Sequence, residues 1–159
     1  MITSNKYLKA TLALLSAVLL IGFSSQKSFS QSNNDIVKVK SSGSVEQTVS
    51  NLKKMVSNNG MMVMGNLNQG KVLSMTGISV HSQTLFVGNP QVGKKLFSAD
   101  AGAGVAVPVR INIYEDSSRQ TWVAYLPPSQ TLSNFNNPKI DKVAHMLDQK
   151  LQKMTGMIK

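Results

Sequence analysis

The sequence predicts an α+β domain in which two helices pack on a mainly antiparallel sheet. The first observation is a pair of amphipathic segments, near residues 45–56 and 140–154, whose apolar residues recur at the helical period. The second is a set of short β-rich segments separated by Gly, Asn, Asp and Pro. Their order, β-α-β(several)-α, makes most strands neighbours along the chain, which favours antiparallel pairing.

The first 30 residues have the three parts of a secretory signal peptide. Lys6 and Lys9 precede an uncharged apolar run at 10–23, and small residues follow up to Ser30. A run of this length is too short to span a hydrocarbon core about 30 Å thick comfortably. We therefore expect cleavage before Gln31, a periplasmic or secreted protein, and no stable membrane insertion afterwards. An uncleaved amphipathic or anchor helix is the alternative.

Residues 31–43 are predicted to form a polar, flexible leader together with the first strand, at 36–39. Ser44 begins the first helix, since Gln47 three residues later completes a capping box. Gly60 ends this helix, because glycine adopts the left-handed conformation without strain. The helix has a buried stripe of four apolar residues, Val45, Val49, Leu52 and Val56.

The middle of the chain is predicted to be mostly extended. We expect strands at 61–66, 71–75 and 84–87, with a turn region at 65–70. A short helix is expected within 92–98. The small residues that follow it, up to Gly104, are expected to be flexible.

The last part of the chain holds the two strongest strands and the second long helix. The strands, at 105–114 and 120–126, are joined by a loop at 116–119. Asn137 caps the last helix, with Pro138 at its first turn, where a missing N–H costs nothing. Its buried stripe consists of Ile140, Val143, Ala144, Leu147, Leu151 and Met154.

The four-residue loop at 116–119 sets the expected register of this hairpin. It places Trp122 opposite Ile113, on an apolar core face. The other face would then bring Arg110 close to Tyr125 for a cation–π contact. A half-apolar outer face suits a subunit interface or the floor of a ligand site. The candidate binding or interface residues are Arg110, Asn112, Tyr114, Glu115 and Tyr125.

Composition excludes several classes of protein. About 129 residues remain after the signal peptide, a usual size for the single domain predicted at 44–159. The absence of cysteine excludes disulfides, thiolate metal ligands and a lipid-modified cysteine. The formal charge of +10 falls to +7 when the signal peptide leaves, and the remaining cations are scattered, unlike the basic stripe of a nucleic-acid binder. An anionic surface ligand is one use of this charge, and solubility is the simpler one.

Two patterns resemble catalytic motifs without meeting their requirements. Residues 88–94 match the phosphate-loop spacing GxxxxGK. However, Lys95 stands where a magnesium-binding Ser or Thr is needed, and Pro90 lacks an N–H. Glu115 and Asp116 are adjacent carboxylates, which a strand directs to opposite faces. We therefore expect a structural turn at the first pattern, and an Asp116 that hydrogen-bonds its own turn.

The remaining chemistry predicts no metal site and no cofactor. His81 and His145 are the two histidines of the sequence, and we interpret both as incidental surface residues. Met62 and Met64 would share one face of a strand, where thioethers can bind Cu(I) but more often fill a core. We expect these two methionines in the core.

Two stretches of the sequence resemble the bacterial family called domain of unknown function 302. The first is the run TLFVGNP at 84–90, with Gly93 shortly after it. The second is VPVRINIYED at 107–116, followed by WVAY at 122–125. The resemblance covers roughly residues 44–153. It implies a β-α-β(several)-α fold and a dimer, and it implies no activity, because the family has none agreed.

The sequence thus predicts an exported module of unknown biochemical role. Its expected partners are a second copy of itself and a small-molecule or anionic surface ligand, with no nucleic acid. The alternative is an enzyme of unrecognised type with a small site around Arg110, Tyr114 and Glu115. A deep cleft with a His–carboxylate contact would favour the enzyme, whereas a shallow polar groove or a large two-fold interface would favour the binding module.

Overall fold

Five strands form one antiparallel sheet in the computed structural model, which describes residues 36–158. The strands are β1 (Val37–Ser41), β2 (Met62–Asn68), β3 (Ser82–Gly88), β4 (Val109–Glu115) and β5 (Thr121–Tyr125). Their spatial order is β1-β5-β4-β3-β2, and every neighbouring pair is antiparallel. This confirms the predicted α+β fold class. The predicted signal peptide lies outside the described residues.

Two long and three shorter α-helices accompany the strands in this part of the chain. They are α1 (Val45–Asn58), α2 (Gln69–Ser74), α3 (Pro90–Ala99), α4 (Pro128–Thr131) and α5 (Pro138–Gly156). Two short 3-10 helices follow α3 and α4, at Ala101–Val105 and Ser133–Phe135. Within residues 36–158, none of the helices has the length and apolar character needed to cross a bilayer.

The ends of α1 are those that its sequence predicts. The N–H of Gln47 donates to the Ser44 hydroxyl (3.2 Å), and the N–H of Ser44 donates to the side-chain oxygen of Gln47 (3.0 Å). Together they satisfy two backbone groups that would otherwise lack a partner. After the helix, Gly60 has φ +66°, the left-handed conformation expected of it.

The helices α1, α3 and α5 share one hydrophobic core with one face of the sheet. Fully buried side chains meet there from helices and strands alike, among them Leu52 of α1, Leu96 of α3, Leu151 of α5 and Ile111 of β4. All residues of the two predicted helical stripes are buried. The period of apolar residues therefore identified the core side of both long helices.

The β4–β5 hairpin has a five-residue loop, 116–120, and the predicted four-residue loop is wrong. Tyr114 pairs with Trp122, and Ile111 pairs with Tyr125. Because side chains alternate between the two faces of a strand, a shift of one residue exchanges the faces of Trp122 and Tyr125. Tyr125 lies in the core, where 3% of its surface is exposed, and Trp122 is half-buried on the opposite face.

The additional loop residue is held by the carboxylate of Asp116. Its Oδ1 accepts hydrogen bonds from the N–H groups of Ser118 (2.9 Å) and Gln120 (2.9 Å). Gln120 is thereby kept in the loop rather than at the start of β5. Arg119 completes the turn with φ 63°, a left-handed conformation that is uncommon for residues other than glycine.

The connection between β2 and β3 also differs from the prediction. Strand β2 extends to Asn68, and the segment expected as a strand at 71–75 is mostly helix α2. The side-chain oxygen of Asn68 accepts from the N–H of Lys71 (2.8 Å) and caps this helix. No residue of α2 is buried, so the helix has no apolar stripe by which the sequence could reveal it.

Met62 and Met64 lie at the surface, and the expectation that they fill the core is wrong. Their exposed fractions are 48% and 50%, whereas Met61 is 5% exposed and takes the core position. Alternation does place the two methionines on one face, as predicted, but Met61 and Val63 face the core, so Met62 and Met64 face away from it.

Candidate functional site

The sheet face opposite α1, α3 and α5 carries no long helix among the described residues; we call it the open face. Alternation along each strand, together with the strand pairing, identifies the side chains that it presents. Across the sheet these are Lys38 and Lys40 of β1, Trp122 and Ala124 of β5, Arg110, Asn112 and Tyr114 of β4, Ser82, Thr84 and Phe86 of β3, and Gly65 and Leu67 of β2. The open face thus combines cations, amides, hydroxyls and aromatic rings.

A groove of about 730 Å³ runs across the open face. It extends from Ile36 and Lys38 at the β1 edge to Leu67 at the β2 edge, and it passes Arg110 and Asn112 in the middle strand. The paired residues Lys38, Ala124, Asn112, Thr84 and Leu67 form one row across its floor. Ala124 contributes only a methyl group between Lys38 and Asn112, and 9% of its surface is exposed.

Two hydroxyls and two amides form a hydrogen-bonded cluster on the β3 side of the groove. The hydroxyl of Ser82 lies 2.7 Å from Gln69 Oε1 and 3.0 Å from Asn112 Oδ1. The hydroxyl of Thr84 lies 3.1 Å and 3.2 Å from the same two oxygens. Each hydroxyl has one hydrogen, so the two hydroxyls supply one hydrogen bond to each amide oxygen. In this arrangement the NH2 groups of Gln69 and Asn112 are not used within the cluster.

Arg110 of β4 and Lys38 of β1 bring positive charge to the groove, and no carboxylate lines it. Within residues 36–158, the sole ion pair joins His145 and Asp148 on α5, at 3.8 Å. Neither groove cation is therefore neutralised by an acidic side chain of the described domain. The groove is a region of positive potential lined by hydrogen-bond donors.

The rest of the groove lining is largely apolar. Phe86 of β3 pairs with Arg110 of β4 on one side and with Gly65 of β2 on the other. The backbone of Gly65 lies beneath the ring of Phe86. A Cβ on Gly65 would lie 3.3 Å from the Phe86 ring, so glycine allows the close approach. Leu126 and the 87%-exposed Val105 provide further apolar surface along the groove.

Four of the five predicted site residues border the groove. Arg110, Asn112 and Tyr114 do so from the open face, whereas Tyr125 is 3% exposed and strand alternation directs its ring to the core face. Glu115 does not border the groove; it lines a neighbouring pocket of about 470 Å³ together with Asn112 and Tyr114. The expected cation–π contact between Arg110 and Tyr125 is therefore wrong, since Phe86 is the aromatic residue paired with Arg110.

The core position of Tyr125 leaves its hydroxyl buried without a hydrogen-bond partner. Burial raises the pKa of this phenol, and the charge of Asp148 adds to the rise. The nearby Thr155 hydroxyl donates to the carbonyl of Leu151 (2.9 Å) instead. The Tyr125 hydroxyl is therefore a polar group that folding has desolvated.

Asp116 has a structural role in the hairpin loop, as predicted. Hydrogen bonds from the Ser118 hydroxyl, the indole of Trp122 and the backbone of Gln120 lower its pKa from 3.8 to about 2. The indole Nε1 of Trp122 donates to Asp116 Oδ2 at 2.7 Å. The carboxylate thus links the loop to the first residues of β5.

The predicted structural turn at 88–94 begins helix α3. Asn89 Oδ1 accepts from the N–H groups of Gln91 (2.8 Å) and Val92 (3.1 Å). The side chain of Asn89 therefore occupies the donors that a phosphate loop would direct at its ligand.

Clusters of metal ligands are absent from the part of the chain that the structure describes. No three His, Cys, Asp or Glu side chains come together within residues 36–158. The imidazole of His145 is 72% exposed, in line with its interpretation as a surface residue.

Several groove residues were not predicted from the sequence, namely Lys38, Gln69, Thr84 and Phe86. For three of them, the sequence contains a pattern that could have identified them, namely alternation with apolar residues along a strand. In the segment 82–88, Thr84 and Phe86 alternate with the buried Leu85 and Val87, and Lys38 alternates with valines in β1. Gln69 had no such signal, because it belongs to the exposed helix α2.

Comparison with known proteins gives the family of the chain. The family model for the domain of unknown function DUF302 matches residues 37–158. A search of curated proteins finds no match to the chain. The crystal structure of an uncharacterized conserved DUF302 protein from Bacillus stearothermophilus is similar, with a TM-score of 0.74 at 18% sequence identity, over 78% of this chain and 98% of that one. At 18% identity, the similarity shows a shared fold and nothing about function. Because the family model covers most of the sequence, the chain belongs to the DUF302 family.

Proposed function

We propose that the protein is an exported binding module without enzymatic activity, which holds a small ligand in its groove and acts as a homodimer. The observation that carries this proposal is the groove on the open face. Its volume of about 730 Å³ lies within the range of small-molecule sites. Like such sites, it combines an apolar lining with a few polar groups, here Arg110, Asn112 and Lys38.

The enzyme alternative is weaker because Arg110 and Glu115 line different cavities. Arg110 and Tyr114 line the groove, whereas Glu115 lines the neighbouring pocket with Tyr114 and Asn112. Acid–base catalysis requires a titratable group within hydrogen-bond reach of the reacting atom. A substrate held by Arg110 in the groove would therefore lack the Glu115 carboxylate.

The homodimer is supported by an apolar surface in the β2–β3 connection, which we call the apolar patch. It consists of Val72, Leu73, Met75, Ile78 and Val80, with exposed fractions between 37% and 87%. Five exposed apolar side chains within nine residues are typical of a contact surface. A second copy is the occupant we propose, because an apolar patch meets its own two-fold mate without opposing unlike groups.

Sedimentation equilibrium of the mature protein tests the dimer. We expect a dimer for the wild type, and at least a tenfold weaker association for Ile78→Ser combined with Met75→Ser. Met157→Ser is the matched control, since Met157 is 50% exposed, like Ile78, but lies at the end of α5. A monomeric wild type, or equal association of both variants, would contradict the proposed dimer surface.

Ligand binding at the groove is tested by NMR. The labelled mature protein is titrated with a small-molecule fragment library, and backbone shift changes are mapped. We expect the changes to cluster at Phe86, Arg110 and Asn112. Shift changes confined to helices α1, α3 and α5, or no shift changes with any fragment, would contradict a ligand site on the open face.

A further inference from the structure

We infer that the ligand of the groove is an amphipathic carboxylate, an unbranched fatty acid whose head lies between Arg110 and Lys38. This inference rests on the proposed ligand-binding function of the groove and adds the chemical class of the ligand. Three properties of the lining support it: the sign of its charge, the kind of hydrogen-bonding groups it offers, and the position of its apolar surface.

The charged and polar groups of the groove favour an anion. Arg110 and Lys38 are cations without an acidic partner within the described residues. The amides of Asn112 and Gln69 use their oxygens in the polar cluster and keep their NH2 donors. A carboxylate accepts hydrogen bonds only, so it matches each of these groups. A cationic head would place an ammonium group beside Arg110 with no counter-charge.

The position of these groups fits one small head. Asn112 and Arg110 are two residues apart on the same face of β4, and Lys38 lies in the same row as Asn112 with Ala124 between them. Ala124 contributes only a methyl group to the row between Lys38 and Asn112. A carboxylate bound above this row would meet Lys38 and Asn112 side by side, and a guanidinium can hold a carboxylate with two parallel hydrogen bonds.

The apolar surface on both sides of this point fits a hydrocarbon chain. Leu67 and Phe86 lie toward the β2 edge, whereas Ile36 and Leu126 lie toward β1. These residues occupy the groove lining without forming part of the core. Burial of each methylene group strengthens binding by about fourfold, so affinity should rise steeply with chain length.

The test compares two fluorescent probes that differ by one charge. These are 11-(dansylamino)undecanoic acid and its methyl ester, titrated into the mature protein at low ionic strength. We expect micromolar binding of the acid, and binding of the ester that is weaker by about tenfold or more, the loss typical of a charge-assisted hydrogen bond.

Variants assign the effect to the groove. Arg110→Gln removes the charge that we place at the head and should weaken the acid by about tenfold while leaving the ester unchanged. The matched control is Arg119→Gln, because Arg119 is the other arginine of the sequence and lies in the hairpin loop outside the groove. This control should bind both probes as the wild type does. Thermal unfolding of each variant confirms that it is folded.

The outcomes separate this inference from the function on which it rests. Equal binding of acid and ester, both displaced by fragments that map to the groove, would overturn the carboxylate inference and leave the ligand site intact. If neither probe binds, the carboxylate inference is also overturned. The NMR fragment titration then tests separately whether the groove binds any ligand. An equal loss of acid binding in Arg110→Gln and Arg119→Gln would show a general charge effect and overturn the inference as well.

Discussion

At the scale of single residues, a shift by one position decides which side chains of the β4–β5 hairpin face the groove. The residue pattern of β4 predicted its two faces correctly, one apolar and one mixed. The faces of β5 were exchanged, so Trp122 and Tyr125 were assigned to the wrong ones. The reason is the loop: Asp116 holds Gln120 by a hydrogen bond of 2.9 Å and adds one residue to the turn. Such a side-chain contact is specific to the folded loop and leaves no periodic signal in the sequence.

The exchanged faces give the first prediction. Tyr125→Ala should lower the free energy of unfolding by about 3–5 kcal/mol, the range for a large aromatic residue removed from a packed core. Trp122→Ala should lower it clearly less, because Trp122 is half-buried on the open face. Urea unfolding followed by circular dichroism measures both. The reverse order of the two losses would show that the hairpin has the four-residue loop after all.

Tyr125→Phe makes this test sharper, because it removes the hydroxyl alone. That hydroxyl is buried without a partner, and a buried group of this kind costs about 1–3 kcal/mol of desolvation. We therefore expect Tyr125→Phe to be as stable as the wild type or more stable. A loss above about 1 kcal/mol would indicate that the hydroxyl has a hydrogen bond in the folded protein.

The carboxylate of Asp116 gives the second prediction, a dependence of stability on pH. Its pKa is lowered from 3.8 to about 2 by hydrogen bonds from Ser118, Trp122 and Gln120. A lowered pKa means that the unfolded chain binds the proton more readily. The contribution to stability is therefore complete above about pH 4 and is lost as the pH falls toward 2. Asp116→Asn should be less stable than the wild type at neutral pH, and the difference should shrink over this interval.

NMR titration of the Asp116 carboxyl carbon measures the same shift directly. We expect a midpoint near 2 in the wild type. Removing one donor, as in Ser118→Ala, should raise it, because the Ser118 hydroxyl is the largest cause of the shift. A midpoint near 3.8 in the wild type would contradict the hydrogen-bonded loop.

At the scale of secondary-structure elements, helices that pack on the core were predictable and those on the surface were not. Helix α1 has a capping box, a stripe of apolar residues and a terminal glycine, three signals that agree. Helix α2 buries no residue, so its short polar-capped turn resembled a loop followed by a strand. In β2, alternation puts Met62 and Met64 on one face, but with apolar residues at all four positions 61–64 the sequence does not show which face meets the core.

The cap of α1 gives the third prediction. Ser44→Ala removes the hydroxyl that accepts from the N–H of Gln47 and should lower the free energy of unfolding by about 1 kcal/mol. Ser50→Ala is the matched control, because Ser50 is an exposed residue inside the same helix. This control should be neutral or slightly stabilising, since alanine is the better helix former. Equal losses in the two variants would show that the cap contributes nothing specific.

At the scale of the whole molecule, the sequence predicted the core side of the sheet better than the open face. The core follows from apolar periodicity, which is repeated in several elements. The groove depends on which residues of five separate strands become neighbours, and thus on four registers at once. Arg110, Asn112 and Tyr114 were nonetheless found beforehand, because the mixed character of β4 marks them within a single strand.

The last prediction concerns maturation, which would place the domain outside the cytoplasm. Lys6 and Lys9, the apolar run at 10–23 and the small residues up to Ser30 predict removal of the first 30 residues during export. Mass spectrometry of protein from the cell envelope should find a chain that begins near Gln31, with this glutamine free or cyclised. Leu19→Arg puts a charge into the apolar run and should leave the precursor in the cytoplasm. Asn34→Arg, the same kind of change beyond the expected cleavage point, should be exported normally. A wild-type chain that keeps Met1 and stays in the cytoplasm would remove export from the proposed function, while the groove and its ligand could still be tested on the folded domain.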